Sequence, residues 1–270
     1  MKLTTLGTGT ISLTPGRGCA AHLVEAGAVR LLLDCGSGAA HRMAALGVDW
    51  WGITHVALTH FHADHIGDLP TLIFAFKYAR VPGRTAPLTI VGPVGTRALL
   101  DRMASAFGEW VTAPGFALSV RELAPGEEVA LHGSDSERSG DAGAGGVAAV
   151  SLAARKVPHT EESVAYSVAA EGRRLVYTGD TGYDAPLAEW AAGCDVFLCE
   201  CSLPASMAVP IHLTPEQCGD LARLANPRVL ALTHLYPPVE ALDLPAVVGE
   251  RFAGAVRVAS DGLSIDLEEQ

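Results

Sequence analysis

The sequence predicts an α/β fold of four layers: two mixed β-sheets packed face to face, with helices on both outer surfaces. Two observations carry this expectation. Strand signals come in two batches, each signal short and bounded by Gly, Pro or polar turns, and helical patterns fall between them. Nearly half of the 270 residues are apolar and only 18% are charged, which supplies material for a generous core. A sheet covered by helices on one side must bury its other face, and two such sheets do so against each other.

The first batch of strands runs over Leu3 to Leu6, Ala20 to Glu25, Val29 to Asp34 and His55 to Thr59. The second runs over Val147 to Lys156, Ser163 to Ala170, Arg173 to Thr178, Val196 to Cys201, Val229 to Thr233 and Val256 to Ala259. Helical periodicity covers Ala39 to Leu46, Leu69 to Ala79, Thr96 to Phe107, Pro186 to Ala191, Thr214 to Ala225 and Pro245 to Phe252. Thr214-Pro215-Glu216-Gln217 reads as a capping box with Pro at the first helical position, and Asn226-Pro227 ends that helix. Gly92-Pro93-Val94-Gly95-Thr96 reads as a turn followed by a Thr cap. The whole chain, 1–270, is expected to form a single domain. The stretch 132–146, rich in Gly, Ser and Asp and without apolar anchors, is expected to be a flexible loop.

The net charge of −11 disfavours a large nucleic-acid footprint, because such binding needs many Lys and Arg contacts to phosphate. Bound divalent cations would still draw a phosphate locally. Lys77, Arg80, Arg84, Arg97 and Arg102 are candidates for a modest phosphate contact. The six scattered cysteines contain no C-x-x-C pair and are expected to be reduced thiols. No apolar stretch is long enough to span a membrane, and Met1 leads directly into a strand without a signal core. The expectation is a cytoplasmic protein with no membrane partner.

The run Thr59-His60-Phe61-His62-Ala63-Asp64-His65 follows the apolar segment His55-Val56-Ala57-Leu58. It packs three imidazoles and a carboxylate into six residues, a donor set suited to zinc and other borderline divalent metals. A tight turn after a strand fans alternate side chains toward one point, so His60 and His62 serve one metal while Asp64 and His65 face a second.

This H-x-H-x-D-H motif resembles that of the metallo-β-lactamase superfamily. Other segments agree in order: Leu31-Leu32-Leu33-Asp34-Cys35-Gly36, Pro158-His159-Thr160, Tyr177-Thr178-Gly179-Asp180-Thr181 and Leu232-Thr233-His234. The opening Leu6-Gly7-Thr8-Gly9-Thr10, with Gly92-Pro93 and Ile211-His212-Leu213-Thr214, is similar to the ribonuclease Z and phosphodiesterase branch. The resemblance implies an αββα sandwich with two divalent ions, zinc first and manganese or iron as substitutes. It assigns His60, His62 and His159 to one ion, Asp64, His65 and His234 to the other, and Asp180 as the bridge. It makes Asp64 also the proton acceptor for the attacking water, and His212 the group that protonates the leaving oxygen. Glu200 would orient His212 or bond backbone amides, and Asp34 would support the ligand loop. His22, His41, His55 and His132 are read as structural or solvated.

The implied activity is a di-zinc phosphodiesterase acting on a small, cyclic or nucleic-acid-derived phosphodiester. The alternatives are hydrolysis of a thioester, lactone or β-lactam, or ribonuclease Z-type RNA cleavage. Long-arm transfer-RNA processing members insert an arm between the third-motif histidine and the bridging aspartate. His159 and Asp180 stand only 21 positions apart, which leaves room for two short strands and favours a smaller substrate. The family habit of dimerisation would fit a homodimer, and the apolar positions near Phe74, Phe76 and Tyr78 would fit a dimer face, a substrate wall or core packing of their helix.

Overall fold

A computed structural model describes residues 1–133 and 150–268. The strands are β1 (Lys2–Gly7), β2 (Ala21–Ala26), β3 (Val29–Leu33), β4 (His55–Ala57), β5 (Leu88–Gly92), β6 (Leu118–Glu122), β7 (Glu128–Leu131), β8 (Val150–Lys156), β9 (Val164–Ala170), β10 (Arg173–Tyr177), β11 (Val196–Glu200), β12 (Val229–Thr233), β13 (Ala255–Val258) and β14 (Ser264–Asp266). The helices are α1 (Ala39–Ala45), α2 (Ala63–Ile66), α3 (Leu69–Tyr78), α4 (Thr96–Phe107), α5 (Ala185–Trp190), α6 (Pro215–Ala225), α7 (Pro237–Glu240) and α8 (Leu244–Gly249).

The strands form two seven-stranded sheets, ordered β14-β1-β2-β3-β4-β5-β6 and β7-β8-β9-β10-β11-β12-β13. Read in that direction, each sheet has three antiparallel pairings followed by three parallel ones. The two halves of the chain therefore repeat one topology without any readable repeat in sequence. Only β14 breaks the order, returning from the second half to pair with β1.

Alternation along the strands makes the layers. In β3, Leu31 and Leu33 enter the core between the sheets, while Leu32 faces a second core beneath α1, α3 and α4. In β12, Val229 and Ala231 take the inter-sheet side, and Leu230 and Leu232 pack under α5, α6 and α8. A strand with both faces covered must be apolar at consecutive positions, and Val229-Leu230-Ala231-Leu232 is. The four-layer αββα sandwich is thus the observed fold.

Several details differ from expectation. Strands β5, β6, β7 and β14 have no counterpart among the expected ones. β6 carries Arg121 and Glu122 and is buried at none of its positions, so it offers little of the apolar pattern on which strand recognition rests. Thr96 is not the cap of α4: Gly95 holds that position with φ 106°, and the Thr96 hydroxyl donates back to the Pro93 carbonyl at 2.7 Å. The capping box at Thr214 and Gln217 is present, and Asn226 ends α6 in the left-handed region. Phe76 is fully buried, whereas Phe74 and Tyr78 are exposed. All six cysteines are free and buried. The loop expected over 132–146 lies outside the described residues beyond Gly133, as do the first residues, 147–149, of the strand now bounded at Val150. Among the described residues no helix is long and apolar enough to cross a membrane.

His22 on β2 is fully buried, its ring edge-on to Tyr177 at 5.0 Å. Burial, with help from His65, lowers its pKa from 6.5 to about 3. The unfolded chain therefore binds a proton that the fold refuses, so stability is intact above about 6.5 and is lost as pH falls toward 3. His22→Leu should remove this share. Between pH 7 and 5 the variant should lose about 2 kcal/mol less stability than the wild type. Denaturant titrations at the two pH values check this, and equal losses would contradict it.

Candidate metal centre

The centre is assembled from loops at the carboxyl ends of strands, where parallel sheets open toward ligands. Asp34 follows β3, the 59–65 run follows β4, Asp180 follows β10, Glu200 ends β11 and His234 follows β12. His159 comes from the turn between β8 and β9. At this end the sheets are tied together. Val164 N donates to Thr59 O at 3.0 Å, Tyr166 OH to Leu58 O at 2.8 Å, and Tyr177 OH to Asp34 Oδ2 at 2.9 Å.

Asp34 is fully buried. Besides Tyr177, it accepts from the Thr59 amide at 2.8 Å, the Thr59 hydroxyl at 2.9 Å, and His65 Nδ1 at 2.8 Å. Two residues here hold φ in the left-handed region without being glycine: Asp34 at 58° and His234 at 56°. Each such conformation costs about 1–3 kcal/mol and persists only where surroundings enforce it. Gly179 (φ 57°) is required beside Asp180, since a Cβ there would lie 2.8 Å from Thr59 Cβ.

The side chains converge in two groups around Asp180. Its Oδ2 lies 3.8 Å from His60 Nε2 and 3.7 Å from His159 Nε2, and His159 Nε2 is 3.1 Å from His62 Nδ1. Its Oδ1 lies 3.2 Å from His65 Nε2 and 3.3 Å from His234 Nε2. Those two nitrogens are 3.4 Å apart, and His234 Nε2 is 3.5 Å from Asp64 Oδ2. One carboxylate thus divides its oxygens between two nests of imidazole.

Each histidine that turns Nε2 inward is anchored at Nδ1: His60 by Thr59 Oγ1 at 3.0 Å, His65 by Asp34, His159 by the Ile211 carbonyl at 3.0 Å, and His234 by Ser202 Oγ at 2.9 Å. Such partners fix the tautomer and ring orientation of ligating histidines. His212 is anchored the same way, Nδ1 to Glu200 Oε1 at 3.0 Å, which leaves Nε2 free. Glu200, fully buried, also accepts from the amides of Thr181 (2.6 Å) and Leu213 (3.2 Å) and from the Ser202 hydroxyl. Both roles considered for Glu200 are therefore realised together.

Burial drives the His60 pKa well below its ordinary value, helped by His65. Burial also lowers His159. Burial works against ionisation of Asp180, but His234, His65 and His60 outweigh it and hold the carboxyl far below the usual range. For His65, burial is overcome by Asp180 and Asp34, and the pKa rises. The field that raises it favours any cation at that point, proton or metal. Burial opposes protonation of His212 too, and Glu200 outweighs it, so this pKa is also raised.

The donor set fits divalent metal. His60 Nε2 and Asp180 Oδ1 are buried without a hydrogen-bond partner, a costly state that a bound cation relieves. Nitrogens bonded to one tetrahedral zinc at about 2.0–2.1 Å must lie about 3.3–3.4 Å apart, close to the spacings seen here. Among the described residues, three groupings have ligand atoms mutually within 4.8 Å: His60, His62, His159 and Asp180; Asp64, His65 and His234; and Asp180, His212 and His234. The structure thus brings together every residue singled out in the sequence as ligand or catalyst.

Ser202 and the Ile211 carbonyl were not foreseen. Ser202 sits in the noted Cys199-Glu200-Cys201-Ser202 segment, but a serine carries no ligand signature of its own. Of the five basic residues named between 77 and 102, four are engaged within the fold. Arg84 donates to the carbonyls of Trp51, Ile53, Ala86 and Pro87, Lys77 to Pro114 O, and Arg97 to Val120 O. Arg80 lies over the Trp51 ring at 4.6 Å. His22 and His55 are buried and belong to none of the ligand groupings, His55 bonding Thr54. His41 and His132 are exposed.

An αββα sandwich with His and Asp nests at its open end is the architecture of a metallo-β-lactamase-fold protein with a site for divalent metal. The chain belongs to the metallo-β-lactamase superfamily, for the sequence model of the β-lactamase superfamily domain matches residues 29–235. It is 27% identical over 275 residues to the ribonuclease Z of Mycobacterium bovis (strain BCG / Pasteur 1173P2), covering 97% of this chain and 96% of that protein. Among solved structures it is similar to the metallo-β-lactamase fold protein YhfI of Bacillus subtilis (TM-score 0.79, 21% identity, 98% of each chain). It is also similar to the short form of human tRNase Z (TM-score 0.74, 24% identity, 99% of each chain).

Asp34→Asn keeps the shape but puts an amide where a carboxylate accepts from His65 and Tyr177. Metal affinity should fall about 10–100-fold, the usual effect of removing an outer-shell partner. Competition with a chromogenic chelator measures it, and unchanged affinity would remove Asp34 from that role.

Proposed function

We propose that the chain is a single-domain di-metal phosphodiesterase, with zinc as the first choice of ion and manganese or iron accepted by the same donors. The observation that carries this reading is Asp180, whose two oxygens face separate nests of imidazole at 3.2–3.8 Å. His60, His62 and His159 would hold one ion, Asp64, His65 and His234 the other, with Asp180 shared. Bound there, the pair supplies Lewis acidity and an ionised water at neutral pH.

The chain's own residues do the rest. Asp64 offers an oxygen beside His234 and accepts the proton of the attacking water. His212, held through Nδ1 by Glu200, donates from Nε2 to the departing ester oxygen. A phosphodiester needs such a donor because an alkoxide is a poor leaving group. The relation to ribonuclease Z supports phosphodiester chemistry over thioester, lactone or β-lactam hydrolysis. The substrate is read as small. Between His159 and Asp180 the chain forms only the β9–β10 hairpin, whose strands are joined by Glu171 and Gly172, and the net charge is −11.

Metal-replete protein should hold two ions per chain, and Asp180→Ala should lose both. Less than one equivalent in the folded wild type, or a variant keeping both ions, would overturn the shared site. On a substrate panel, a bis-aryl phosphate should be hydrolysed faster than thioester and lactone competitors. The reverse ranking would overturn the phosphodiesterase reading.

His212→Ala should keep its metals while turnover of a diester with an alkoxide leaving group falls about 10²–10⁴-fold. The loss should shrink when the leaving group is an aryloxide, which needs no proton. Equal losses for both would make His212 a binding residue.

A further inference from the structure

Six segments frame the metal centre: 8–16, 59–68, 157–163, 178–184, 201–214 and 234–243. None of them contains a Lys or Arg. The flanking cations are engaged elsewhere. Arg17 donates to Thr8 Oγ1 and Ala259 O at 2.6 Å and pairs with Glu240. Lys156 donates to the Thr160 carbonyl, and Arg155 faces Asp184 at 3.9 Å. In place of basic side chains, these segments carry apolar side chains held in solvent. Ile11, Leu13, Tyr183, Met207, Val209 and Ile211 are between 39% and 92% exposed. Single exposed apolar residues are ordinary, but here six of them fall on the loops that carry one site.

These loops are fixed to the centre. The Ile211 carbonyl anchors His159 at 3.0 Å. The 178–184 and 201–214 segments touch so closely that a Cβ on Gly182 would lie 2.0 Å from Pro210 O. The Leu235 amide, next to His234, donates to Thr8 O at 3.0 Å, which places the Ile11 loop against the same site.

We infer that the substrate carries an uncharged, apolar ester group beside the scissile phosphodiester, received by this collar of Ile11, Leu13, Tyr183, Met207, Val209 and Ile211. The inference rests on the phosphodiesterase reading and narrows its substrate class. A polynucleotide would present a row of phosphates, each needing a cation to replace its counterions. The described loops supply none, and a single phosphodiester needs only the metals. An alkyl or aryl ester group instead gains by leaving water for the collar.

The probe is a series of p-nitrophenyl alkyl phosphates: methyl, butyl and hexyl. The leaving group is constant, so the chemical step is constant and only the apolar group varies. kcat/KM should rise about fourfold for each methylene that the collar buries. Val209→Asp should flatten the series, read as the hexyl-to-methyl ratio within each protein. A flat wild-type series with measurable methyl-ester hydrolysis would overturn the collar and leave the phosphodiesterase reading standing. Hydrolysis of no diester by the metal-loaded protein would overturn that reading itself. A higher kcat/KM on a short oligoribonucleotide than on the hexyl ester would overturn the inference. So would sedimentation showing a dimer that Val209→Asp dissociates, because the collar would then be covered by a second copy.

Discussion

The Asp34 carboxylate, sealed between the sheets, is the contact on which the rest depends. It bonds the first sheet's ligand loop at Thr59, orients His65, and accepts from Tyr177 of the second sheet. A buried carboxylate is expensive unless its acceptor capacity is filled, and here filling it requires three elements to be in register at once. The bond to the Thr59 amide sets where the 59–65 run begins. The bond to Tyr177 sets how the run stands against β10, two residues before Gly179. Placement of the candidate ligands is therefore a by-product of satisfying one charge.

The centre belongs to neither half of the chain alone. The first topological half supplies His60, His62, Asp64 and His65, and the second supplies His159, Asp180, His212 and His234. Repetition of one sheet pattern brings equivalent strand ends, β3 with β10 and β4 with β11, to the same edge of the sandwich, so the loops that follow them meet without long excursions. The second half carries the more elaborate support. Glu200 joins His212, Ser202, and the Thr181 and Leu213 amides in one buried network.

Much of this was legible in the sequence because metal chemistry demands rare residue types at tight spacing. His60, His62, Asp64 and His65 announce themselves, and once they do, His159, Asp180 and His234 gain meaning from their order. The inner strands were equally plain, since Leu31-Leu32-Leu33 and Val229-Leu230-Ala231-Leu232 are covered on both faces. What escaped has no residue-type signature. The carbonyl of Ile211 looks like every other carbonyl, and Ser202 is one serine among many. Edge strand β6 mixes Arg and Glu with Val because solvent reaches it. Arg84 reads as a surface cation, yet it is buried beneath four carbonyls. Thr96 resembles a cap, but Gly95 can adopt the positive φ that the turn requires.

The return of β14 to β1 has a consequence for how such a chain is made. Of the described strands β14 is the last in order of synthesis, and it forms the border of the sheet that is otherwise made first. Domains generally fold as units during synthesis. Here the first sheet must wait with β1 unpaired on one side while the whole second sheet emerges. Until then β1 presents an open edge, the kind of surface that recruits strands from other molecules. The Leu267 amide, donating to Met1 O at 3.0 Å, extends the pairing of β14 with β1 and closes that window of vulnerability.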